Sequence, residues 1–325
     1  MKKIILSGMR PTGKLHLGHL VGALNNWVKL ESEYQCFFMV ADWHALMSEY
    51  ANPKVLHEYA IDNVVDWISA GVDPKKSVIF IQSEVPAHLE LYMILSCLVP
   101  LGWLERCPTY KEQLKELSQK EINTFGFLGY PVLQAADILI YKANAVPVGQ
   151  DQLAHLELTR EIARRFNHLY KKEVFPDPAA LLTKTSKLLG LDGRKMSKSY
   201  QNTIDISESS DSLEKKIKNM VTDQKRIKLL DAGHPDECNV FTYYSTFVQN
   251  KKDEVYDWCV NAKVGCTKCK EIFLEEIKKI LKPIQEKRKE ILNDKATLKK
   301  ILEQGREKAN EIANVTLKEV KKIIF

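Results

Sequence analysis

Short apolar runs alternate with helical patterns along the first half of the chain. Residues 3–6, 36–41 and 78–81 are apolar runs of the kind found in strands that are buried on both faces. Residues 17–30 and 53–70 carry apolar side chains at helical spacing. Repeated strand-then-helix units predict an α/β fold with a parallel sheet, in which ligands bind at the carboxyl ends of the strands.

The pattern changes about two thirds of the way along the chain. Residues 207–212 are polar and rich in helix-capping side chains, and no convincing strand follows them. Residues 270–292 and 295–324 instead place apolar side chains on one helical face. The sequence therefore predicts an α/β domain over residues 1–205 and an α-helical domain over residues 206–325.

The composition indicates a folded protein without a membrane span. Of 325 residues, 45% are hydrophobic and 28% are charged, which excludes a disordered chain. The longest apolar stretch, residues 91–104, is interrupted by polar and helix-breaking residues and is shorter than the roughly 20 residues that span a bilayer. The first ten residues hold too few apolar side chains for a signal peptide. We therefore expect a cytoplasmic protein with no membrane partner.

Positive charge is concentrated in the last third of the sequence. The formal net charge is +6, and residues 206–325 hold 25 Lys and Arg against 20 Asp and Glu. Two interpretations remain open on charge alone. One is an ordinary helical surface rich in Lys and Glu, and the other is a polyanionic partner such as a nucleic acid.

A segment rich in glycine and histidine, residues 7–19, follows the first strand and opens the first helix. Backbone N–H groups at a helix N-terminus attract phosphate, and glycines let a ligand approach the backbone closely. His16 and His19 lie three residues apart on one helical face, where both can donate hydrogen bonds to phosphate oxygens. The alternative is a capped turn with a purely structural role.

A second polar segment, residues 193–200, has the sequence GRKMSKSY. Lys195 and Lys198 are three residues apart in a loop that begins with glycine. Such a loop can close over a triphosphate and place positive charge where negative charge develops. A solvated surface loop is the alternative for this segment taken alone.

The two segments together resemble the HxGH and KMSKS signature of the class I aminoacyl-tRNA synthetases. The resemblance covers essentially the whole chain and is closest to the bacterial tryptophanyl-tRNA synthetases. It implies a Rossmann-like catalytic domain, a helical anticodon-binding domain and a homodimer. It also implies an enzyme that activates L-tryptophan with ATP and Mg²⁺ and transfers it to its tRNA. A tyrosine-specific synthetase and a non-catalytic RNA-binding paralogue are the alternatives, and the two intact motifs argue against the second.

The resemblance also implies the residues of the site. The catalytic residues that hold the phosphates would be His16, His19, Lys195 and Lys198. ATP would be bound by Arg10, Pro11, Thr12, Gly18, His19, Gly149, Gln150, Asp151, Leu188, Lys195, Met196, Ser197, Lys198 and Ser199. L-tryptophan would be bound by Asp137, Tyr130, Gln134, Gln152 and His44.

Two further segments carry the resemblance to the tryptophan enzymes. Residues 129–141 resemble their amino-acid pocket helix, in which Asp137 would accept a hydrogen bond from the indole N–H. Tyrosine enzymes also have an aspartate in this helix, so that residue alone does not decide the substrate. Residues 146–155 resemble the VPVGxDQ stretch, whose glycine and aspartate face the adenosine ribose. His19 and Arg10 depart from the family, which often has Asn and Gln at these positions.

Seven cysteines, an odd number, argue against a disulfide framework in this chain. Four of them fall within 32 residues, namely Cys238, Cys259, Cys266 and Cys269. Four thiolates suit either Zn²⁺ or an iron–sulfur cluster, and the spacing does not separate these choices. The chain resembles a subgroup of tryptophanyl-tRNA synthetases with a 4Fe–4S cluster, which implies such a structural cluster here. Zn²⁺ and four unliganded thiols are the alternatives.

Overall fold

Five parallel strands form one sheet in the order β3-β2-β1-β4-β5. In chain order, these strands are β1 (Ile4–Met9), β2 (Gln35–Val40), β3 (Ser77–Ile81), β4 (Ala145–Val148) and β5 (Ala179–Leu182). In the register of the sheet, Leu6 lies beside Phe37, which in turn lies beside Val78. The predicted α/β fold with a parallel sheet is confirmed, and β1, β2 and β3 overlap the apolar runs of the sequence, with β1 continuing past its run to Met9.

The computed structural model describes residues 2–108, 110–111, 121–182, 188–194, 196–197 and 200–325. Its α-helices are α1 (Leu17–His19), α2 (Asn25–Leu30), α3 (Asp42–Glu49), α4 (Lys54–Ser69), α5 (Ala87–Ser96), α6 (Leu101–Glu105), α7 (Phe125–Ile140), α8 (Leu153–Leu169), α9 (Ser210–Lys218), α10 (Asn239–Phe247), α11 (Lys252–Val260), α12 (Cys266–Asn293) and α13 (Lys295–Ile324). A π-helical segment, Leu20–Leu24, joins α1 to α2. Short 3₁₀ helices lie at Gln82–Glu84, Gln150–Gln152, Pro235–Glu237 and Gln249–Lys251.

The chain divides into two compact units whose boundaries differ from those of the two predicted domains. Unit 1 comprises Met1–Gly13, Asn26–Lys184 and Asp294–Phe325, and unit 2 comprises Lys14–Asn25 and Thr185–Asn293. The sequence predicts a single boundary at residue 205, with residues 295–324 in the helical domain. The structure instead groups these last residues with the sheet.

The helix α13 is grouped with unit 1 because it packs on the strand β3. Its buried side chains follow the predicted helical stripe through Leu298, Leu302, Ala309 and Ala313. At Gly305 the helix backbone comes so close to β3 that a Cβ atom would lie 1.8 Å from the Ile79 carbonyl oxygen. A stripe with small residues at its centre allows this approach, and larger side chains would hold the helix off the strand.

Aromatic side chains from the helices α2 and α4 pack against the strand β2 in the core of unit 1. Trp27 stacks on Phe38 with ring centroids 4.2 Å apart and meets Trp67 edge to face at 5.1 Å. Its indole N–H donates to Ser7 Oγ at 3.0 Å, which satisfies the polar end of a buried ring. This packing fixes the position of β1, and the site is built at the end of that strand.

Unit 2 combines the segment around α1 with four helices. Leu17 N–H donates to the Ile204 carbonyl and Ile206 N–H donates to the Leu15 carbonyl, both at 2.9 Å, so the two segments pair as antiparallel backbone. Within the polar stretch that was predicted as a break, Ser209 caps α9 by accepting a hydrogen bond from Ser212 N–H. The prediction that no strand follows residue 206 is confirmed for residues 206–325, all of which are described.

Among the described residues, no helix is both long enough and apolar enough to cross a membrane.

Gly305→Ala is expected to lower the free energy of unfolding by about 1–3 kcal/mol, because the added methyl group overpacks the contact with Ile79. Denaturant unfolding monitored by circular dichroism measures the change. Gly22→Ala is the matched control, since no atom beyond its chain neighbours and the nearby backbone of its own helix lies within 4 Å of its added Cβ and alanine is the better helix former. Equal midpoints for wild type and Gly305→Ala would show that α13 does not pack closely on β3.

Candidate active site

Several polar side chains of unit 1 lie together just after the carboxyl ends of the strands. Arg10 follows β1, His44 lies in the first turn of α3 directly after β2, and Gln82 is the first residue after β3. Gln152 ends the short 3₁₀ helix that follows β4. This is the edge at which the parallel sheet was predicted to bind its ligand.

A cavity of about 280 Å³ opens at this edge of the sheet. The structure brings to it all five side chains that were predicted to bind tryptophan, namely Asp137, Tyr130, Gln134, Gln152 and His44. Arg10 and His155 line it as well. The rest of the wall is largely apolar and includes Leu6, Met39, Met47, Phe127, Val146 and Val148. An apolar cavity with a few converging polar groups is typical of a site for a small organic molecule.

The carboxylate of Asp137 lies at the centre of a hydrogen-bond network, with 2% of the residue exposed. Its Oδ1 accepts hydrogen bonds from Gln82 Nε2 at 2.8 Å and from His88 Nδ1 at 2.6 Å. Its Oδ2 accepts one from His44 Nε2 at 2.8 Å. A carboxylate can accept about four hydrogen bonds, so Oδ2 retains the capacity for one more donor.

The charge state of Asp137 follows from these partners. Burial by itself raises the pKa of this carboxyl group, but the hydrogen bonds from His44 and His88 act against burial, and the pKa lies below its usual value. At neutral pH the group is therefore an ionised acceptor. The hydroxyl group of Tyr141, 2.8 Å from His88 Nε2, has a pKa well above its usual value because of burial and the neighbouring Asp137 charge.

A second buried chain of polar groups reaches the cavity through Tyr130 and His155. Tyr130 Oη is 3.0 Å from His155 Nε2, and His155 Nδ1 is 3.5 Å from the Cys107 sulfur. Burial lowers the pKa of His155 to about 4, assisted by the nearby His44. His155 is therefore a neutral ring at physiological pH, and it orients the phenol group of Tyr130.

Sequence reasoning did not identify Gln82, His88, Tyr141 or His155 as site residues. The position of Gln82 at the end of β3 is a signal that could have found it, because side chains at strand ends meet at one edge of a parallel sheet. His88 lies among apolar residues near the start of α5 and carries no such signal. Only the packing of α5 against α7 brings it to Asp137.

In unit 2, His16 and His19 form a reciprocal cap at the start of α1. His16 Nδ1 accepts a hydrogen bond from Gly18 N–H, and His19 Nδ1 accepts one from His16 N–H, both at 3.1 Å. Because each Nδ1 is an acceptor, the ring hydrogen of each neutral histidine is on Nε2. A Cβ on Gly18 would lie 2.9 Å from the His16 ring, so glycine is needed for the ring to fold over the helix start.

The described part of the KMSKS segment lies beside this cap. A Cβ on Gly18 would lie 3.4 Å from the sulfur of Met196, so the two sequence motifs meet within unit 2. Ser197 N–H donates to Asn202 Oδ1 at 2.9 Å, and Asn202 Nδ2 donates to Asp192 at 2.7 Å. Leu188 is buried in the same unit. Lys195, Lys198 and Ser199 lie outside the described residues, so their predicted roles stay predictions.

The predicted ribose-binding segment follows β4 in unit 1. Asp151 folds back toward Gly149, whose Cβ, if present, would lie 2.6 Å from Asp151 Oδ1. Gln152 Nε2 donates to Asp151 Oδ2 at 3.0 Å. Glycine at position 149 therefore lets the Asp151 carboxylate take this orientation. The roles in ATP binding of Gly149, Gln150 and Asp151, and of Pro11 and Thr12, stay predictions.

The four clustered cysteines converge on one small cavity in unit 2, together with Arg226 and Trp258. Burial and the three neighbouring thiols raise the pKa of Cys269 to about 12. Gly233 lies so close to the cluster that a Cβ there would be 2.4 Å from the Cys259 sulfur. Yet among the residues that the structure describes, no group of three or more His, Cys, Asp or Glu side chains is placed to hold a metal ion. The thiols fit the chemistry of a soft metal site without forming one in this structure.

The Rossmann-like sheet and the site at its strand ends define a class I synthetase fold. A family model described as tRNA synthetases class I (W and Y) matches residues 2–282. The chain therefore belongs to the class I tRNA synthetases of the tryptophan and tyrosine group.

Within this group, the chain is similar over its whole length to several tryptophan enzymes. A curated tryptophan–tRNA ligase from Thermotoga maritima is 51% identical over 98% of each chain, and one from Aquifex aeolicus is 41% identical over 98% of each. A crystal structure of tryptophanyl-tRNA synthetase from Campylobacter jejuni, complexed with ADP and tryptophan, superposes with a TM-score of 0.90. It is 35% identical and covers 99% of both chains.

His155 is expected to remain neutral far below the pH at which ordinary histidines take up a proton, since burial lowers its pKa to about 4. Because the unfolded chain binds this proton near pH 6.5 and the folded chain does not, this residue makes the protein less stable as pH falls from about 6.5 to 4. Histidine-selective nitrogen NMR over pH 4–8 measures the protonation, with His155→Gln to assign the signal. A His155 signal that titrates near pH 6.5 would contradict the buried, neutral ring.

Proposed function

We propose that this chain is a tryptophan–tRNA ligase. It activates L-tryptophan with ATP, forming tryptophanyl-adenylate and pyrophosphate, and then transfers tryptophan to the terminal adenosine of its tRNA. The observation that carries the proposal is the buried, ionised carboxylate of Asp137 in an apolar cavity at the strand ends. The identity of 51% over the whole chain to a tryptophan–tRNA ligase supports the same substrate.

Recognition of tryptophan follows from the donors and acceptors of the cavity. The indole ring is a large apolar group with one N–H donor and no acceptor. The wall of Met39, Met47, Phe127 and Val148 suits the ring, and Asp137 Oδ2 retains one acceptor position for the N–H. A ligand without this N–H leaves the buried carboxylate with an unused acceptor, which makes such a site selective.

Activation of the amino acid needs no covalent bond to the protein. A carboxylate oxygen of tryptophan attacks the α-phosphorus of ATP in line, and the bond from that phosphorus to the bridging oxygen of pyrophosphate breaks. Catalysis comes from orientation of the two substrates and from stabilisation of negative charge on the phosphates. Gln152 and Tyr130, which line the cavity, would orient the amino acid, with Gln152 near its ammonium group.

The phosphates of ATP are assigned to the two signature motifs. His16 and His19 carry their ring hydrogens on Nε2 and would donate them to phosphate oxygens. Lys195 and Lys198 would add positive charge, and Mg²⁺ bound to the phosphates would share that role. Gly149 and Asp151 would face the ribose, where a carboxylate can accept hydrogen bonds from both hydroxyl groups.

The helical part of the chain is assigned to the tRNA. Residues 206–325 carry most of the net positive charge, which is shared between unit 2 and α13 of unit 1 and suits contact with an RNA backbone. The resemblance to the family supports anticodon binding by this region and a cytoplasmic homodimer as further parts of the proposal.

Amino-acid-dependent exchange of pyrophosphate into ATP tests the proposed function, with tryptophan, tyrosine and phenylalanine run in parallel. We expect exchange with tryptophan alone. In Asp137→Asn, the value of kcat/KM for tryptophan should fall roughly tenfold to a hundredfold, because a hydrogen bond to a charged acceptor is lost.

Asp177→Asn is the matched control for this variant. It makes the same chemical change at an exposed carboxylate of unit 1 that pairs with Arg164 on the surface, and it should leave the exchange rate unchanged. Exchange with tyrosine instead of tryptophan would identify a tyrosine enzyme. No exchange with any amino acid would identify a non-catalytic RNA-binding paralogue.

We further propose that Cys238, Cys259, Cys266 and Cys269 hold a 4Fe–4S cluster, with Zn²⁺ as the alternative. Their convergence on one cavity and the close approach of Gly233 to Cys259 support a compact thiolate site. When bound, such a cluster would cross-link the starts of α10 and α12 with the end of α11, because the cysteines lie at these positions. Its role would be structural, since neither step of the reaction transfers electrons.

Protein purified without oxygen is expected to contain about four iron and four sulfide per chain if the site holds this cluster. Cys266→Ser should lose most of the bound metal, because serine replaces a soft thiolate ligand. Cys97→Ser should retain it, because Cys97 is exposed and lies in unit 1. Analysis of iron, sulfide and zinc distinguishes the alternatives, and protein without any of them would overturn the metal site.

A further inference from the structure

The donors behind Asp137 form an ordered chain that starts at Tyr141. We propose that Tyr141 and His88 are positioning residues, which fix one oxygen of the Asp137 carboxylate so that the other selects the ring N–H of the amino-acid substrate. The inference rests on the proposed function and extends it to residues that do not line the cavity.

The first step of the chain sets the position of one hydrogen. Tyr141 is 1% exposed, and its hydroxyl oxygen lies 2.8 Å from His88 Nε2. Burial keeps this phenol protonated, so its O–H is available as a donor. When Tyr141 donates to Nε2, the neutral His88 ring carries its hydrogen on Nδ1, which faces Asp137.

The second step fills one side of the carboxylate. His88 Nδ1 lies 2.6 Å from Asp137 Oδ1, and Gln82 Nε2 lies 2.8 Å from the same atom. Two donors occupy the acceptor positions of Oδ1, and neither donor residue lines the cavity. Oδ2, which accepts a hydrogen bond from the cavity residue His44, is therefore the oxygen left for the ligand.

This arrangement of hydrogen bonds makes the cavity selective for a ligand that carries an N–H donor. A buried carboxylate that lost its inner donors would turn toward other partners or take up a proton. A protonated carboxyl group can present its own O–H to the cavity, and a ring N–H then meets a donor where it needs an acceptor. The chain from Tyr141 thus preserves the acceptor without contact with the substrate.

Two amino acids that differ in the ring N–H test the inference. Equilibrium binding and kcat/KM for pyrophosphate exchange are measured with tryptophan and with 3-(3-benzothienyl)alanine, in which sulfur replaces the N–H group. Wild type should prefer tryptophan. Tyr141→Phe and His88→Leu should each reduce that preference about tenfold, through weaker tryptophan binding and unchanged binding of the sulfur analogue.

Two more variants separate positioning from a merely structural effect. His88→Asn should restore much of the preference, because the amide N–H of asparagine can take the place of Nδ1–H. Tyr92→Phe makes the same change as Tyr141→Phe in another tyrosine that packs against α7, at Gly129, and it should leave the preference unchanged.

The outcomes distinguish this inference from the proposed function. If wild type prefers tryptophan and both Tyr141→Phe and His88→Leu retain the full preference, the positioning roles are wrong and the proposed function stands. An equal loss of binding for both amino acids in these variants would also overturn the positioning roles. If wild type binds no tryptophan, the proposed function and the inference both fail.

Discussion

The buried negative charge of Asp137 constrains how the elements of unit 1 pack together. An isolated carboxylate in an apolar interior is so costly that it would take up a proton, and three converging donors are what keep Asp137 ionised. Those donors come from α3, the end of β3 and α5. The carboxylate therefore stays ionised only when these helices are packed correctly on the sheet. The proposed selectivity of the cavity and the packing of unit 1 therefore depend on the same contacts.

Unit 2 brings together two motifs that are far apart in the sequence. The backbone around Leu15–Leu17 pairs with Ile204–Ile206, although nearly the whole α/β sequence lies between them. Backbone pairing fixes the separation of the HxGH helix start and the KMSKS segment without any demand on side chains. A Cβ atom on Gly18 would lie 3.4 Å from the Met196 sulfur, so the described parts of the two motifs are neighbours.

The fold class and several residues that line the cavity could be predicted from the sequence because they depend on local patterns. Apolar runs mark strands, and Asp137, Tyr130 and Gln134 share one helix whose motif is recognisable. Tyr141 and His88 could not be found in this way, since their roles come from the packing of α5 on α7. The place of α13 also escaped prediction, because its amphipathic stripe identifies a buried face without identifying the surface that covers it.

The close approach of Gly305 to Ile79 has a consequence for the order in which the chain is made. These two residues are more than 200 positions apart, and the sheet of unit 1 lacks one of its covering helices until α13 has been synthesised. Contacts of such long range form slowly, and the apolar surface of β3 stays exposed while the ribosome completes the chain. The growing polypeptide is therefore most vulnerable to aggregation during the period between synthesis of β3 and arrival of α13.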